Sequence, residues 1–282
     1  MTDIYGILGF PVGHSRSPAM HNRAFNALGI DAMYVPFAVP PERLRAAIAS
    51  LKPLNLRGMN VTLPHKTNVI PLLDRVEPDA LAIGAVNTLF FESDKLVGMN
   101  TDAPGLTRSL IEAGLRLQGA RVTVIGAGGA ARASVVGLAR AGASRITVTA
   151  RRTHEAEKLV SELASAAAPA VLQVESWERA AHRRCLCETD LLIQATSATL
   201  DDGPAAAALA EALPIDALPD TATVVDLVYK PRLTTVLKLA QELKRPTLDG
   251  LGMLLFQGAI AFEKWTGQTA PIEVMRAALD AP

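Results

Sequence analysis

The run Arg121-Val122-Thr123-Val124-Ile125-Gly126-Ala127-Gly128-Gly129-Ala130-Ala131-Arg132-Ala133 leaves the surrounding chain few choices. A β-branched stretch, Val122 to Ile125, stops at a glycine cluster, and from Ala131 to Ala141 only small, apolar or arginine side chains follow. That order spells strand, tight turn and helix. Gly126 and Gly128 permit the turn and let backbone approach a pyrophosphate, while the N–H groups and dipole of the new helix favour the anion. Gly126, Ala127, Gly128, Gly129 and Ala130 are therefore candidate phosphate-binding residues. The spacing is G-x-G-G, with Ala131 where a full fingerprint has its last glycine, and such a turn alone is weak evidence.

Context strengthens it. About twenty residues on, a second β run, Arg145 to Thr149, ends at Ala150-Arg151-Arg152-Thr153. An Asp or Glu there would hold the ribose 2′-hydroxyl of NAD. Guanidinium forks suit a 2′-phosphate instead. Arg151 and Arg152 thus predict NADP(H) rather than NAD; the competing account is a solvated arginine pair at a strand end.

The chain has 282 residues, 49% of them hydrophobic and 20% charged, enough for two domains with packed cores. Formal net charge is zero and no basic or acidic block occurs, which gives no footing for nucleic acid or a membrane surface. Met1 to Gly6 lacks the basic and apolar regions of a signal peptide, and no apolar run approaches the length of a membrane span. Cys185 and Cys187 form a lone C-x-C, too close for an easy disulfide and without a second ligand pair. The expectation is no metal site and a reduced pair in the cytoplasm.

The remaining stretches supply candidate polar groups. Ile4 to Gly9 reads as a buried strand, followed by a loop with His14, Ser15 and Ser17 and a helix from Ala19 to Leu28 ended by Gly29. Ser17 stands at an N-cap position before Pro18, whereas Ser15 has no capping role. The two hydroxyls and the histidine suit a hydroxylated ligand. A serine nucleophile lacks its G-x-S-x-G elbow. Met33 to Val39 reads as a strand and Pro41 to Leu51 as a helix. The next strand ends at Thr62, Pro64 breaks it, and Lys66 opens a helix through Leu73. Asn60, Thr62 and Lys66 so gather at a strand's carboxyl end, where open α/β sheets bind ligands. A lysine in a helix's first turn opposes the dipole, which hints at a purpose.

Asn87 falls early in a strand reached by a turn, and Lys95 to Asp102 is the hairpin partner; Asp102 serves either as an N-cap or as a functional carboxylate. Residues 104–248 alternate strand and helix as a parallel sheet requires, with strands starting near Arg121, Arg145, Val171, Leu191 and Val224. The loop after Leu191-Leu192-Ile193-Gln194 is positioned to line the nicotinamide side. Asp201 to Pro219 gives no readable signal. Tyr229 stands at a strand's carboxyl end, either as an ordinary aromatic or as a ligand contact. Gln257, on a mostly apolar helix face, needs partners from the core or from a ligand.

In this order the pieces resemble the shikimate dehydrogenase family along nearly the whole chain. The matching residues are Gly9-x-Pro11-x-x-His14-Ser15-x-Ser17-Pro18-x-x-His21-Asn22, Gly58-x-Asn60-Val61-Thr62-x-Pro64-x-Lys66, Gly84-Ala85-Val86-Asn87-Thr88 and Gly98-x-Asn100-Thr101-Asp102-x-x-Gly105. After the glycine turn come Asp226 to Pro231, Asp249-Gly250-x-Gly252-Met253-Leu254 and Gln257-Gly258-Ala259.

The resemblance implies an α/β protein of two domains with a cleft between them. Residues 1–103 plus 249–282 would bind substrate and residues 104–248 would form a Rossmann-like NADP domain. It further implies reversible NADPH-dependent reduction of 3-dehydroshikimate to shikimate, with Lys66 and Asp102 flanking the reacting carbonyl. Ser15 and Ser17 would take the substrate carboxylate, and Asn60, Thr62, Asn87, Tyr229 and Gln257 the remaining polar groups. Thr153, Thr196, Leu227, Gly250 and Met253 would join the cofactor contacts. The resemblance leaves a homodimer open.

Three departures stand out, one of them that the Ala-rich segment after residue 199 carries no motif of the family. The family's Asn-Arg-Thr is Ala150-Arg151-Arg152-Thr153 here, and its Asn-Ala-Thr-Ser-x-Gly is Gln194-Ala195-Thr196-Ser197-Ala198-Thr199. The alternatives are an NAD-dependent quinate/shikimate dehydrogenase, an aminoshikimate-type paralogue, and a non-catalytic nucleotide-binding protein, which intact Lys66 and Asp102 disfavour.

Overall fold

A computed structural model describes residues 1–281. They divide into two compact units, Met1–Gly105 with the chain from Leu254 onward, and Leu106–Met253.

The first unit opens with β1 (Asp3–Gly9), α1 (Ser17–Ala27), β2 (Ala32–Ala38), a 3-10 turn and α2 (Leu44–Ser50), and β3 (Leu56–Val61). It continues through β4 (Arg75–Val76), α3 (Pro78–Ile83), β5 (Thr88–Glu92), β6 (Lys95–Met99) and the start of α4 (Asp102–Glu112). The sheet order is β2-β1-β3-β5-β6-β4. β1 runs parallel to β2 and β3, and β5 is antiparallel to β3 and β6. A strand antiparallel to β3 begins where β3 ends, and the register aligns Asn60 with Thr88 and Thr88 with Met99. That row carries the segments next to it, Asn87 and Asn100 to Asp102, to one end of the sheet.

The second unit is an uninterrupted strand–helix alternation. Its elements are β7 (Arg121–Ile125), α5 (Gly129–Arg140), β8 (Arg145–Thr149), α6 (Thr153–Ala167), β9 (Val171–Glu175) and α7 (Arg179–Leu186). Then follow β10 (Leu191–Gln194), α8 (Pro204–Ala212), β11 (Thr223–Asp226), α9 (Thr235–Glu242) and β12 (Thr247–Leu248). All pairs are parallel in the order β12-β11-β10-β7-β8-β9. The central strands are buried along their apolar runs, as a sheet covered on both faces requires. The chain walks outward from β7 to β9 and returns at β10 beside β7. The switch point therefore lies between the carboxyl ends of β7 and β10, where such sheets bind ligands.

Two helices, α10 (Leu251–Thr266) and α11 (Ile272–Asp280), end the chain, and from Leu254 on they belong to the first unit. Trp265 of α10 donates its indole N–H to the Leu89 carbonyl at 2.9 Å. It joins an aromatic cluster with Tyr5, His21 and Tyr34. His21 stacks on Tyr34 with ring centroids 4.4 Å apart. Burial pushes its pKa down to about 3, so this histidine is a neutral aromatic plate in the core.

Three local expectations are corrected. Lys66 does not open a helix: the chain from Pro64 to Val69 is turns, followed only by a 3-10 turn, Ile70–Leu72. Pro71 has no N–H to donate and keeps the turn from propagating. The dipole argument for Lys66 falls with that helix. Ser17 is not the N-cap but the first helical residue; Arg16 precedes it, and the Arg16 side chain makes no capping bond. The stretch from Pro41 begins as a 3-10 turn, Pro41–Arg43, before α2. Sequence reading also passed over α3, α8 and β12. The strands of the second unit start at Arg121, Arg145, Val171, Leu191 and Thr223, within one residue of expectation.

Candidate active site and cofactor site

In the first unit, Lys66 reaches the site from the turn after β3, and Asp102 stands at the first position of α4. Lys66 Nζ lies 2.6 Å from Asp102 Oδ2, with side-chain exposures of 18% and 4%. Asp102 is thus not spent on capping. The capping role falls to Asn100, whose Oδ1 accepts from Ala103 N at 3.1 Å.

The other carboxylate oxygen, Oδ1, accepts from Asn87 Nδ2 at 2.9 Å. That amide also points at Thr101 Oγ1 at 2.9 Å and, more weakly, at Gln257 Oε1 at 3.4 Å. Two protons face three acceptors, so Gln257 keeps capacity for a ligand donor. Its own Nε2 donates to the Leu254 carbonyl at 2.8 Å, which answers how this buried amide is satisfied.

Asn60 supports the arrangement from below. Its Nδ2 donates to the Asn87 carbonyl at 3.1 Å and to Thr88 Oγ1 at 3.0 Å, and its Oδ1 accepts the Tyr34 hydroxyl at 2.7 Å. Both amide protons are therefore engaged within the protein. Tyr34, 1% exposed, is a residue that sequence reasoning missed. An aromatic inside a strand reads as core, and nothing in its spacing announces the hydroxyl.

Ser15 and Thr62 lie in the loops after β1 and β3, and Ser17 opens α1. Thr62 N donates to the Leu8 carbonyl and Phe10 N to the Leu63 carbonyl, which ties the loops after β1 and β3 together. Ser17 N donates to Ser15 Oγ at 3.3 Å. Lys66, Asp102, Asn87, Gln257 and Asn60 thus form one hydrogen-bonded group. The three hydroxyl residues follow β1 and β3 at the same end of the sheet without bonding to that group.

In the second unit, Gly126 has φ +116°, a conformation that demands glycine, and a Cβ there would stand 2.9 Å from Thr196 Cγ2. Gly128 is the extended N-cap residue of α5, and a Cβ on it would meet nothing within 4 Å. The first N–H groups of a helix have no intrahelical acceptor, so those of Gly129 and Ala130 are available to an anion. Arg151 and Arg152 are exposed directly after β8, and Thr153 opens α6. Arg152 makes only a long 3.7 Å pair with Glu155. Open space over a glycine turn, available N–H groups and two guanidinium groups at the next strand end fit a dinucleotide with a 2′-phosphate. Gly250 packs so closely on Leu227 that a Cβ would lie 2.1 Å from the Leu227 carbonyl oxygen. Met253 is buried and Tyr229 half-buried, both in this unit. Among the described residues no group of three or more His, Cys, Asp or Glu is arranged to hold a metal, and no helix is long and apolar enough to cross a membrane.

A glycine turn at the switch point of a parallel sheet, in a chain that also holds a lysine–carboxylate pair amid amides, defines a nucleotide-dependent dehydrogenase. Three family models cover the chain. They are a shikimate dehydrogenase substrate binding domain at residues 7–89, a shikimate/quinate 5-dehydrogenase at 108–227, and a shikimate 5′-dehydrogenase C-terminal domain at 250–279. The NADP(+) shikimate dehydrogenase of Desulforamulus reducens is 43% identical over 276 residues, 98% of this chain and 94% of that protein. A Listeria monocytogenes shikimate 5-dehydrogenase solved with shikimate and NAD aligns with a TM-score of 0.87 at 36% identity, covering 99% and 96% of the two chains. The Thermus thermophilus enzyme solved with NADP(H) and shikimate gives 0.85 at 34% identity, covering 99% and 98%. The chain belongs to the shikimate dehydrogenase family.

Proposed function

We propose that this chain is an NADP-dependent shikimate dehydrogenase, reducing 3-dehydroshikimate reversibly to shikimate on the route to chorismate and the aromatic amino acids. The observation that carries the reading is the Lys66–Asp102 pair, held by Asn87 at one end of the first unit's sheet. Reduction of a ketone leaves negative charge on its oxygen, and a fixed ammonium both stabilises that charge and delivers a proton. Asp102 Oδ2 takes one of the three ammonium protons and so aims the other two. Asp102 Oδ1 and Gln257 Oε1 have lone pairs left for substrate hydroxyls. Ser15 and Ser17 are assigned the carboxylate; Thr62, Asn87 and Tyr229 complete the contacts, and Asn60 acts mainly by holding Asn87.

When bound, NADPH supplies the hydride to the carbonyl carbon. Gly126 to Ala130 hold its pyrophosphate, Arg151, Arg152 and Thr153 its 2′-phosphate, and Thr196, Leu227, Gly250 and Met253 border its nicotinamide side. In this reading residues 1–103 plus 249–282 bind the substrate and residues 104–248 the cofactor. The enzyme works in the cytoplasm, a setting that suits the two free thiols Cys185 and Cys187.

The test is the initial rate at the reduced-nicotinamide absorbance band with shikimate or quinate, each with NADP or NAD. Turnover confined to shikimate and NADP is expected. Preference for quinate or for NAD would overturn the specificity, and no turnover with any pair would overturn the reading.

A further inference from the structure

Asp226 ends β11 fully buried. Its Oδ1 accepts from Val228 N at 3.0 Å and from Gln194 Nε2 at 3.2 Å. Its Oδ2 accepts from Thr199 Oγ1 at 2.9 Å and from Thr234 Oγ1 at 2.7 Å. Gln194 ends β10 directly opposite Asp226 in the register, and on its other side faces Ile125 of β7. Its amide closes the following loop on itself. Oε1 accepts from Thr196 N at 2.6 Å, while Nε2 also points at the Thr196 carbonyl at 3.1 Å and at Thr199 Oγ1 at 2.9 Å. The loop so held lies on the glycine turn, since Thr196 Cγ2 and the Ala195 carbonyl crowd the space a Gly126 Cβ would need.

Gln194 and Thr199 are also the two positions at which this chain departs from the Asn-Ala-Thr-Ser-x-Gly pattern. Both departures bond to the same carboxylate, and Thr199 bonds to Gln194 as well. A buried carboxylate facing only neutral donors is costly for stability alone, and its four bonds tie the end of β11 to the end of β10, to the loop that follows β10 and to the start of α9.

We propose that Gln194, Thr199 and Asp226 form a latch that fixes the loop carrying Thr196 against the glycine turn and thereby sets the affinity for NADP(H). This rests on the reading of the second unit as the cofactor unit. The three act as positioning residues, through Thr196 and Gly126.

The experiment measures NADPH dissociation by fluorescence titration, which needs no substrate, beside the KM for shikimate and the melting temperature of the full-length protein. Thr199→Val keeps the shape and removes the hydroxyl; it is expected to weaken NADPH five- to tenfold, on the order of one hydrogen bond. The KM for shikimate should stay within twofold. Thr199→Ser restores the hydroxyl and should bind as the parent does. Thr234→Val removes an equivalent bond to Asp226 away from the loop, so it should lower the melting temperature yet leave NADPH affinity within twofold.

An unchanged NADPH affinity in Thr199→Val, or equal weakening in Thr234→Val, would overturn the latch. Gln194→Met reads the same quantity should Thr199→Val not fold. Failure of the unsubstituted chain to bind NADPH would bring down the cofactor reading with it, whereas tight parental binding with an insensitive Thr199→Val brings down the latch alone.

Discussion

Lys66 Nζ stands 2.6 Å from Asp102 Oδ2, and this is the only polar contact its ammonium makes among the described residues. With the carboxylate almost fully buried and the lysine tip partly open, the pair presents a positive charge of fixed direction. Lys66→Ala is expected to lower kcat by about 10²–10⁴, the usual worth of a general acid–base group. NADPH binding should be unaffected, because the proposed cofactor contacts lie in the other unit. Steady-state rates with shikimate, set beside a fluorescence titration with NADPH, check both halves. Equal loss of both would point to unfolding instead.

Tyr34→Phe tests the layer beneath. The substitution leaves Asn60 Oδ1, 2.7 Å from the phenol oxygen in the parent, without its buried donor. An orphaned buried acceptor costs about 1–3 kcal/mol. The amide cannot flip to recover, since Nδ2 must keep facing the Asn87 carbonyl. A lower melting temperature is expected together with a several-fold lower kcat, as Asn87 is less well held against Asp102. Unchanged kcat at reduced stability would confine Tyr34 to the core.

How much of this was legible in the sequence depended on how far the cause reached along the chain. The parallel sheet of the second unit was readable because β-branched runs, glycine turns and small-residue helices are local signals, and its strand starts fell where they pointed. The family motifs likewise named Lys66, Asp102, Asn87 and Gln257 before their bonding was known. The register that joins Asn60 to Thr88 and Thr88 to Met99 was not readable, because antiparallel pairing between distant segments leaves no local mark. Tyr34 was missed, and Thr199 was noted only as a departure from the family pattern, for a related reason. A tyrosine in a strand looks ordinary until its hydroxyl finds Asn60, and a threonine in place of a glycine shows its role only when its hydroxyl finds Asp226. Lys66 shows the opposite error, a helix expected from Lys66 to Leu73 after the strand-breaking Pro64, where the chain makes only turns.

In the proposed function Arg151 and Arg152 carry the cofactor preference. Both are exposed, and neither is locked in a short ion pair that a phosphate would have to break. Charge-assisted hydrogen bonds are worth about 1.5–3 kcal/mol. Replacing both by Ala should therefore raise the KM for NADP by at least tenfold and leave that for NAD within about threefold. The effect on NADP should shrink at high salt, because exposed charges are screened. Parallel loss for both cofactors would place the arginines on a part that NAD and NADP share.

Asp226 gives the chain a pH-dependent stability term of defined sign. Burial raises its pKa to about 6, the dominant cause, and four neutral hydrogen-bond donors offset only part of that rise. The folded state therefore holds this proton more tightly than the unfolded chain. Stability from this group is full below the unfolded pKa of 3.8 and is lost as pH rises through about 6. Asp190 and Asp216 act the other way. Arg121 and Arg183, bonded to them, hold their pKa values down, so their stabilisation is lost at more acidic pH. Comparing the parent with Asp226→Asn cancels these contributions. The stability difference between the two in urea unfolding should change by ~2 kcal/mol between pH 4 and pH 7, at about 1.4 kcal/mol per pKa unit, with the parent losing relative ground as pH rises. A difference that is flat over this range would mean that Asp226 stays ionised throughout, its four donors having fully replaced the water it lost.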